Sequence, residues 1–500
     1  MMFYELPPSI EKVISNPSVL VSVRLCFCFG DSEFWVPCAD VVECSFNSYK
    51  SVEGGIINSG EVILDNSRGV YCSDFNGAFD RDLAVLVYFC FGSYENSFLR
   101  FNLFVDCNGF QCEETGGKFS VSKIRLVDLS VKLNDLRLQK NWSSKNIAVH
   151  SVVCDKEHPE SSLVHIIAKR CGLSAGDIDC GKLPFKIPYV EINRSAWQEL
   201  CDIASIYRAN LECGKDMPLS FTESPYDLEN SFIDDSSFFL GVDDITHYRA
   251  FNSEDDFSNN IRIKYTRFVE TGRQELWHYD DGPAWYDEFM NVAYPFSDDS
   301  RAIVSSDDYE AIYSAKNENG HFRNVVYAED VDNLAAFEKN IVTDDDKKFS
   351  VLKYDTSSFN DRAVLQLSRN NQLIALRRAS IYGRAIIAET NFSVFVKDED
   401  SVKKNGAIVK NVTSKYFSDD LFKGVPFYSV RAGDFLKDGN RRKKGYFIST
   451  SLALVHGRVG ACMDINVNKF GSDKKVRVEE LTFRYKKNGG FCTELWVVSV

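Results

Sequence analysis

The residues best placed to do chemistry lie in ELWHYDDGPAWYDEF, where Trp277, His278, Asp280, Asp281, Trp285, Asp287 and Glu288 crowd together. Glycoside cleavage needs two carboxylates across a sugar ring, and Trp277, Tyr279, Trp285 and Tyr286 would stack on such rings. A carboxylate-dependent glycan or cell-wall hydrolase, or a carbohydrate-binding attachment module, is therefore one reading. The plainer reading is an aromatic loop packed on a domain edge or at a contact between subunits. No spacing here is diagnostic, and the plainer reading is preferred.

Other chemistry is thinly signalled. His150, His158 and His165 are the closest histidine grouping, but no HExxH or HxxEH accompanies them. There is no GxxxxGK[ST], no GxGxxG after a strand and no GxSxG elbow, so no cofactor is implied. Acidic doublets such as Asp234-Asp235 and Asp243-Asp244 offer hard oxygen ligands for calcium, yet such pairs are common on solvated loops. Thirteen of the fifteen cysteines lie at or before Cys213, and none is in a CxxC pair. They read as small buried hydrophobes, with metal ligation or a disulfide as the alternative. No catalytic, cofactor or metal residues are assigned, and the chain is read as a non-enzyme.

Whatever these residues do, the elements around them are mostly strands. SVLVSVRLCFCF, EFWVPC, VVECSFNSY, GEVILDN and LAVLVYFCF alternate or run apolar between turn residues. RFNLFVDCNGFQC reads as a hairpin turning at Asn108-Gly109. SVSKIRLVDLSVKL reads as a strand and then a helical turn. NIRIKYTRFVE and FRNVVYAE are strands in an otherwise unreadable acidic middle. RAVLQLSRNNQLIALRRASIYGRAI reads as strands about the Asn370-Asn371 turn and Gly383. The sequence predicts a helix over 414–423 and several strands from there to the end.

One segment departs from this pattern. SSLVHIIAKRCGLSAGDID leads through the strand KIPYVEI into RSAWQELCDIASIYRANLECG. Leu163, Ile166 and Ile167 form one face of a first helix, with Gly172 as its stop. Trp197, Leu200, Cys201 and Ala204 form the face of a second, with Ser195 as N-cap and Gln198 placed for a capping box. Helices this short do not hold themselves together in water, so both must lean on sheets. These seven residues are expected to carry packing rather than chemistry, bridging two β-domains.

The fold class predicted is mainly β with α+β segments: a multidomain chain with barrel-like β-domains joined by a short helix–strand–helix segment. Five hundred residues exceed what one core usually serves. The expected division is an N-terminal β-domain at 1–150, the helical segment at 151–226, an acidic β-rich domain at 227–350 and a C-terminal β-rich domain at 351–500. A formal charge of −14 argues against a protein that grips nucleic acid or an anionic membrane. The basic run RRKK at 441–444 reads as a solvated hairpin tip. No signal peptide is visible at the start, and the longest apolar run, LAVLVYFCF, is too short to span a bilayer as a helix. A soluble, non-exported chain is expected.

The order of landmarks resembles the hub proteins of phage tails and of related contractile or prophage-encoded injection structures. The resemblance rests on three blocks. The first is FWVPCADVVECSFNSYKS through SVSKIRLVDLSVKL, similar to a hub's opening β-domain. The second is the helix–strand–helix segment, ending in PLSFT. The third is RAVLQLSRNNQLIALRRASIYGRAI followed by KNVTSKYF. The acidic middle fits poorly. The resemblance implies a virion structural protein at the tube or baseplate junction. It would be a homo-oligomer, commonly a trimeric ring, meeting tail tube, distal tail, tape-measure or baseplate proteins. DNA would be transported cargo only, with no stable membrane insertion. The implied location is the virion tail, assembled in the bacterial host cytoplasm.

Overall fold

In the computed structural model the structure describes residues 6–14, 19–51, 54–71, 83–115, 118–134, 147–214, 218–223, 239–253, 257–280, 308–312, 314–316, 322–343, 350–356, 362–368, 376–439, 443–466 and 474–499. The chain is mainly β. Among the described residues its largest sheet has sixteen strands, eleven of which form one continuous path. Along that path lie Ile245–Ser253, Lys443–Thr450, Gly490–Ser499, Lys474–Lys486, Val41–Lys50, Ile56–Asp65, Lys118–Val127, Ser93–Thr115, Ala84–Phe91, Val21–Phe29 and Ser32–Val36. Every neighbour pair on it is antiparallel.

Alternation explains the strands. Val23, Leu25 and Phe27 point to one side and are buried, as are Val85, Val87, Phe89 and Phe91 on the neighbouring strand. Aromatic rings meet within their core. Phe46 stacks on Phe101 at 5.5 Å, and Phe89 meets Phe483 at 5.3 Å and Phe491 at 5.5 Å. The last three residues span both ends of the chain, since Glu480 pairs with Tyr49 and Lys486 with Glu43. Strand pairing thus links segments that the sequence reading places in different domains.

The Asn108-Gly109 hairpin does not form. Ser93–Thr115 is one strand of 23 residues that pairs first with Ala84–Phe91 and then with Lys118–Val127. The Asn-Gly pair lies where the register shifts, between Val105 and Phe110. A side chain on Gly109 would start 2.8 Å from the Arg125 Cβ, so this irregularity needs glycine's bare backbone. Gly383 likewise breaks nothing, lying inside the 22-residue strand Leu376–Lys397. The Asn370-Asn371 turn and Arg441 and Arg442 of the basic run lie outside the described residues.

That long strand organises a second sheet, of seven strands among the described residues. It pairs with Asn260–Glu270, Phe322–Glu329, Gln274–Asp280 and Val342–Thr343. Between the two sheets sits the helix–strand–helix segment. Its hairpin, Ala209–Glu212 with Leu219–Glu223, joins the first sheet through a parallel contact of Glu212 with Ile56. Its other strand, Leu183–Glu191, pairs antiparallel with Ile147–Cys154. Among the described residues, no helix is long and apolar enough to cross a membrane.

Candidate functional site

The aromatic–acidic stretch is only partly within the described residues. Trp277 and His278 lie on the strand Gln274–Asp280, and Asp280 ends it opposite Arg378. Asp281, Trp285, Asp287 and Glu288 lie outside the described residues. Trp277 is 6% exposed within an apolar cluster that includes Leu276, Phe337, Leu365 and Ile381. Its ring is packed in the protein and is not presented to a sugar. His278 Nδ1 lies 3.1 Å from Glu275 Oε1. Leu276 beside it is buried as well, because the pairing with Leu376–Lys397 shifts register between Glu275 and Trp277, so two successive side chains turn inward.

The helix–strand–helix segment packs against both large sheets. The first helix runs Leu163–Lys169; Leu163 and Ile167 are fully buried and Ile166 is partly buried. Gly172 takes the left-handed conformation at φ 87°, and its N–H reaches the Lys169 carbonyl at 3.0 Å. The second helix runs Ala196–Tyr207, with Ser195 Oγ accepting from the Gln198 N–H at 3.3 Å. Trp197, Leu200, Cys201 and Ala204 are buried. They share one apolar cluster with Ile261, Ile263 and Tyr265 of the second sheet, and with Phe417, Phe427 and Ala432. On the other side, Trp197 packs on Gly55, next to the first sheet. A side chain there would begin 2.5 Å from Trp197 Cζ2 and 2.9 Å from Cys201 Sγ, so the helix can come this close only to glycine.

At the centre of this bridge is a group the sequence reading missed. Glu199 is fully buried. Its Oε1 accepts from the N–H groups of Asn193 and Arg194 at 3.0 and 2.9 Å and from Lys415 Nζ at 2.8 Å. Its Oε2 accepts from Arg194 at 3.2 Å and from the Tyr416 hydroxyl at 2.5 Å. Burial by itself would raise the Glu199 pKa. The bonds from Lys415 and Tyr416, and the Lys415 charge, outweigh it and hold the carboxyl below its ordinary range. No local pattern marks Glu199, because Lys415 and Tyr416 are more than two hundred positions along the chain.

The predicted helix over 414–423 does not form, and the reason is this same network. Ser414 and Ser418 accept bonds from the backbone N–H groups of Tyr416 and Asp420, a local pattern that competes with helix. The extended segment then works as a rivet. Tyr416 reaches Glu199, Asp419 accepts from Tyr265 at 2.8 Å and Arg267 at 2.6 Å, and Asp420 accepts from the Lys186 N–H at 2.5 Å. The helix comes later, at Phe427–Gly439. There Phe427 stacks on Tyr207 at 4.7 Å, and Arg431 donates to the Tyr207 carbonyl at 3.2 Å.

A polar seam fastens the segment to the first sheet. The Asn58 side chain accepts from Ser48 Oγ at 2.5 Å and donates to the Cys213 carbonyl at 3.2 Å. The Asn58 N–H donates to Asp128 at 2.6 Å, and burial pushes the Asp128 carboxyl up to about 6. Arg458, from the C-terminal part, donates to the buried Glu212 at 2.5 Å.

No protein-family model matches the chain, and no curated protein does. Solved structures similar to it include the 43 kDa tail protein of prophage MuSo2 from Shewanella oneidensis. That likeness is 8% identity and a TM-score of 0.47, covering 96% of this chain and 98% of that one. A tail protein from Neisseria meningitidis MC58 is similar at 9% identity and a TM-score of 0.49, with 96% of each chain covered. Prophage tail protein gp18 from Listeria monocytogenes EGD-e is similar at 9% identity and a TM-score of 0.42, covering 95% of this chain and 94% of that one. The chain is thus similar in fold, over nearly its whole length, to solved tail proteins, two of them from prophages.

Proposed function

We propose that this chain is a structural subunit of a phage tail or tail-like injection machine. It forms part of a ring-shaped hub at the junction of tube and baseplate. The observation that carries the reading is what the chain does with its buried charges. Glu199 fastens the helical segment to residues 415 and 416, Glu212 fastens it to Arg458, and Asp40 holds Arg68 and Tyr71. Asp332 accepts from the Tyr382 N–H at 3.1 Å and from Asn340 at 2.9 Å. Ionisable groups buried at such cost usually either do chemistry or specify one arrangement of elements. Each of these joins one element to another, which suits a wall that must keep its shape.

The order of segments supports the same reading: an antiparallel β-domain, a helix–strand–helix bridge and a second sheet. In this reading copies associate into a trimeric ring and contact tail tube, distal tail, tape-measure or baseplate proteins. DNA or a tape-measure protein passes through the centre as cargo. The net charge of −14 suits that passage, because a wall of like charge does not hold the phosphate backbone. The subunit assembles in the bacterial host cytoplasm and ends in the virion tail.

Antibody labelling of tailed particles from the source cell tests the placement. Label is expected at the distal end of the tail tube. Label confined to the capsid, or particles free of the chain, would overturn it.

A further inference from the structure

His150 lies on the strand Ile147–Cys154, yet its backbone is left-handed, at φ 48°. The register puts Pro188 opposite it, between the Ile187–Ser151 and Tyr189–Val149 pairs. Proline has no N–H to give the ladder, so this position is released from strand geometry. The conformation costs energy for a residue with a side chain. It aims the ring at the second sheet. Nδ1 lies 2.8 Å from Glu270 Oε1, and Nε2 lies 3.0 Å from Glu329 Oε2. Glu270 ends the strand Asn260–Glu270, and Glu329 ends Phe322–Glu329. Asp330, the next residue, is also left-handed, at φ 46°.

Both ring nitrogens therefore face carboxylate oxygens, which when ionised only accept. Neutral imidazole carries a hydrogen on one nitrogen; only imidazolium donates from both. We propose that His150 is a proton-operated latch between the helical segment's small sheet and the second β-sheet, closed by the imidazolium and released when the ring loses a proton.

The surroundings fit this role. Arg384, on Leu376–Lys397, pairs with Glu329 at 3.1 Å and with Asp330 at 2.7 Å, so a fixed cation shares Glu329 with the histidine. Tyr327 meets the imidazole edge-on at 6.4 Å. Close by, the Tyr189 ring packs on Phe268 at 5.2 Å, an apolar contact between the same two sheets that does not titrate near neutrality. Proton loss would open one side of the junction and leave the other in place. Burial would lower the His150 pKa, but the bonds from Glu270 and Glu329 and their charges outweigh it and raise the value above its ordinary 6.5. A histidine whose folded value is raised adds stability in full below its unfolded pKa, and that stability is lost as pH rises through the folded value. The latch is thus shut in mild acid and opens on the alkaline side of about 6.5. This inference does not depend on the tail reading, and either can fail alone.

The test is a histidine-selective NMR titration of the full chain, with the His150 signal assigned by its loss in His150→Gln. The expected midpoint lies above about 6.5, and Glu270→Gln with Glu329→Gln lowers it. If the double variant fails to fold, Glu270→Gln alone gives the same readout, since that carboxylate is half exposed. Melting temperature should also fall more for the wild type than for His150→Gln between about pH 6 and pH 8. A midpoint at or below about 6.5, a midpoint unmoved by losing the carboxylates, or identical pH profiles for wild type and His150→Gln would each overturn the latch.

Discussion

Glu199→Ala is expected to lower the free energy of unfolding by about 3–5 kcal/mol, because the carboxylate is fully buried and is the shared acceptor of several donors. The loss goes beyond one salt bridge. The Tyr416 hydroxyl, fully buried, would lose its acceptor, as would the N–H groups of Asn193 and Arg194. Lys415 would lose a bond as well, though it keeps acceptors in the Glu191 carbonyl and Asn193. Buried donors stranded in this way cost about 1–3 kcal/mol each when nothing replaces the partner. Because the Glu199 carboxyl sits below its ordinary range, its contribution is present above its unfolded pKa of about 4.5 and is lost as pH falls through the folded value. Chemical denaturation of the two proteins at neutral pH measures the difference. A change below about 1 kcal/mol would place Glu199 among ordinary surface pairs and contradict its role as the central fastening.

Trp197→Ala is expected to cost about 3–5 kcal/mol by a different route, the loss of a large buried ring and the cavity it leaves. Trp197 is 2% exposed and rests against Gly55, where no side chain can swing in to fill the space. The vacated volume lies between the helix and the start of the strand Ile56–Asp65 of the first sheet, so both walls of the bridge lose contact together. Thermal or denaturant unfolding checks this. A variant as stable as the wild type would mean that the ring does not hold the helix to the sheet.

These two residues also show what the sequence makes legible. Trp197 belongs to a helical face whose spacing can be read without a structure. Glu199 is two positions away on the same helix and gives no signal, because its meaning lies in Lys415 and Tyr416. The strands Asn260–Glu270 and Phe322–Glu329 were legible from their local sequence alone. The Asn108-Gly109 pair misled because the same two residues suit a tight turn and an irregularity within a strand. Residues 414–423 misled because Ser414 and Ser418 turn the backbone toward distant partners, against the local pattern. Least legible was the pairing of Lys474–Lys486 with Val41–Lys50. A strand's face can be read from its period, but its neighbour across more than four hundred residues cannot.

His150 and Trp277 make the same point for candidate chemistry. The histidine grouping at 150, 158 and 165 does not converge: His150 meets Glu270 and Glu329, His158 meets Asp155, and His165 lies against Ser162 at 2.7 Å. Neighbours in sequence point to different partners because strand, loop and helix aim them apart.

The ring is the central claim, and the mass of the purified full chain in solution, read together with electron-microscope images of the same sample, tests it most directly. The expected result is a closed trimer with a central hole. A chain that stays a single copy at high concentration and shows no hole would contradict it.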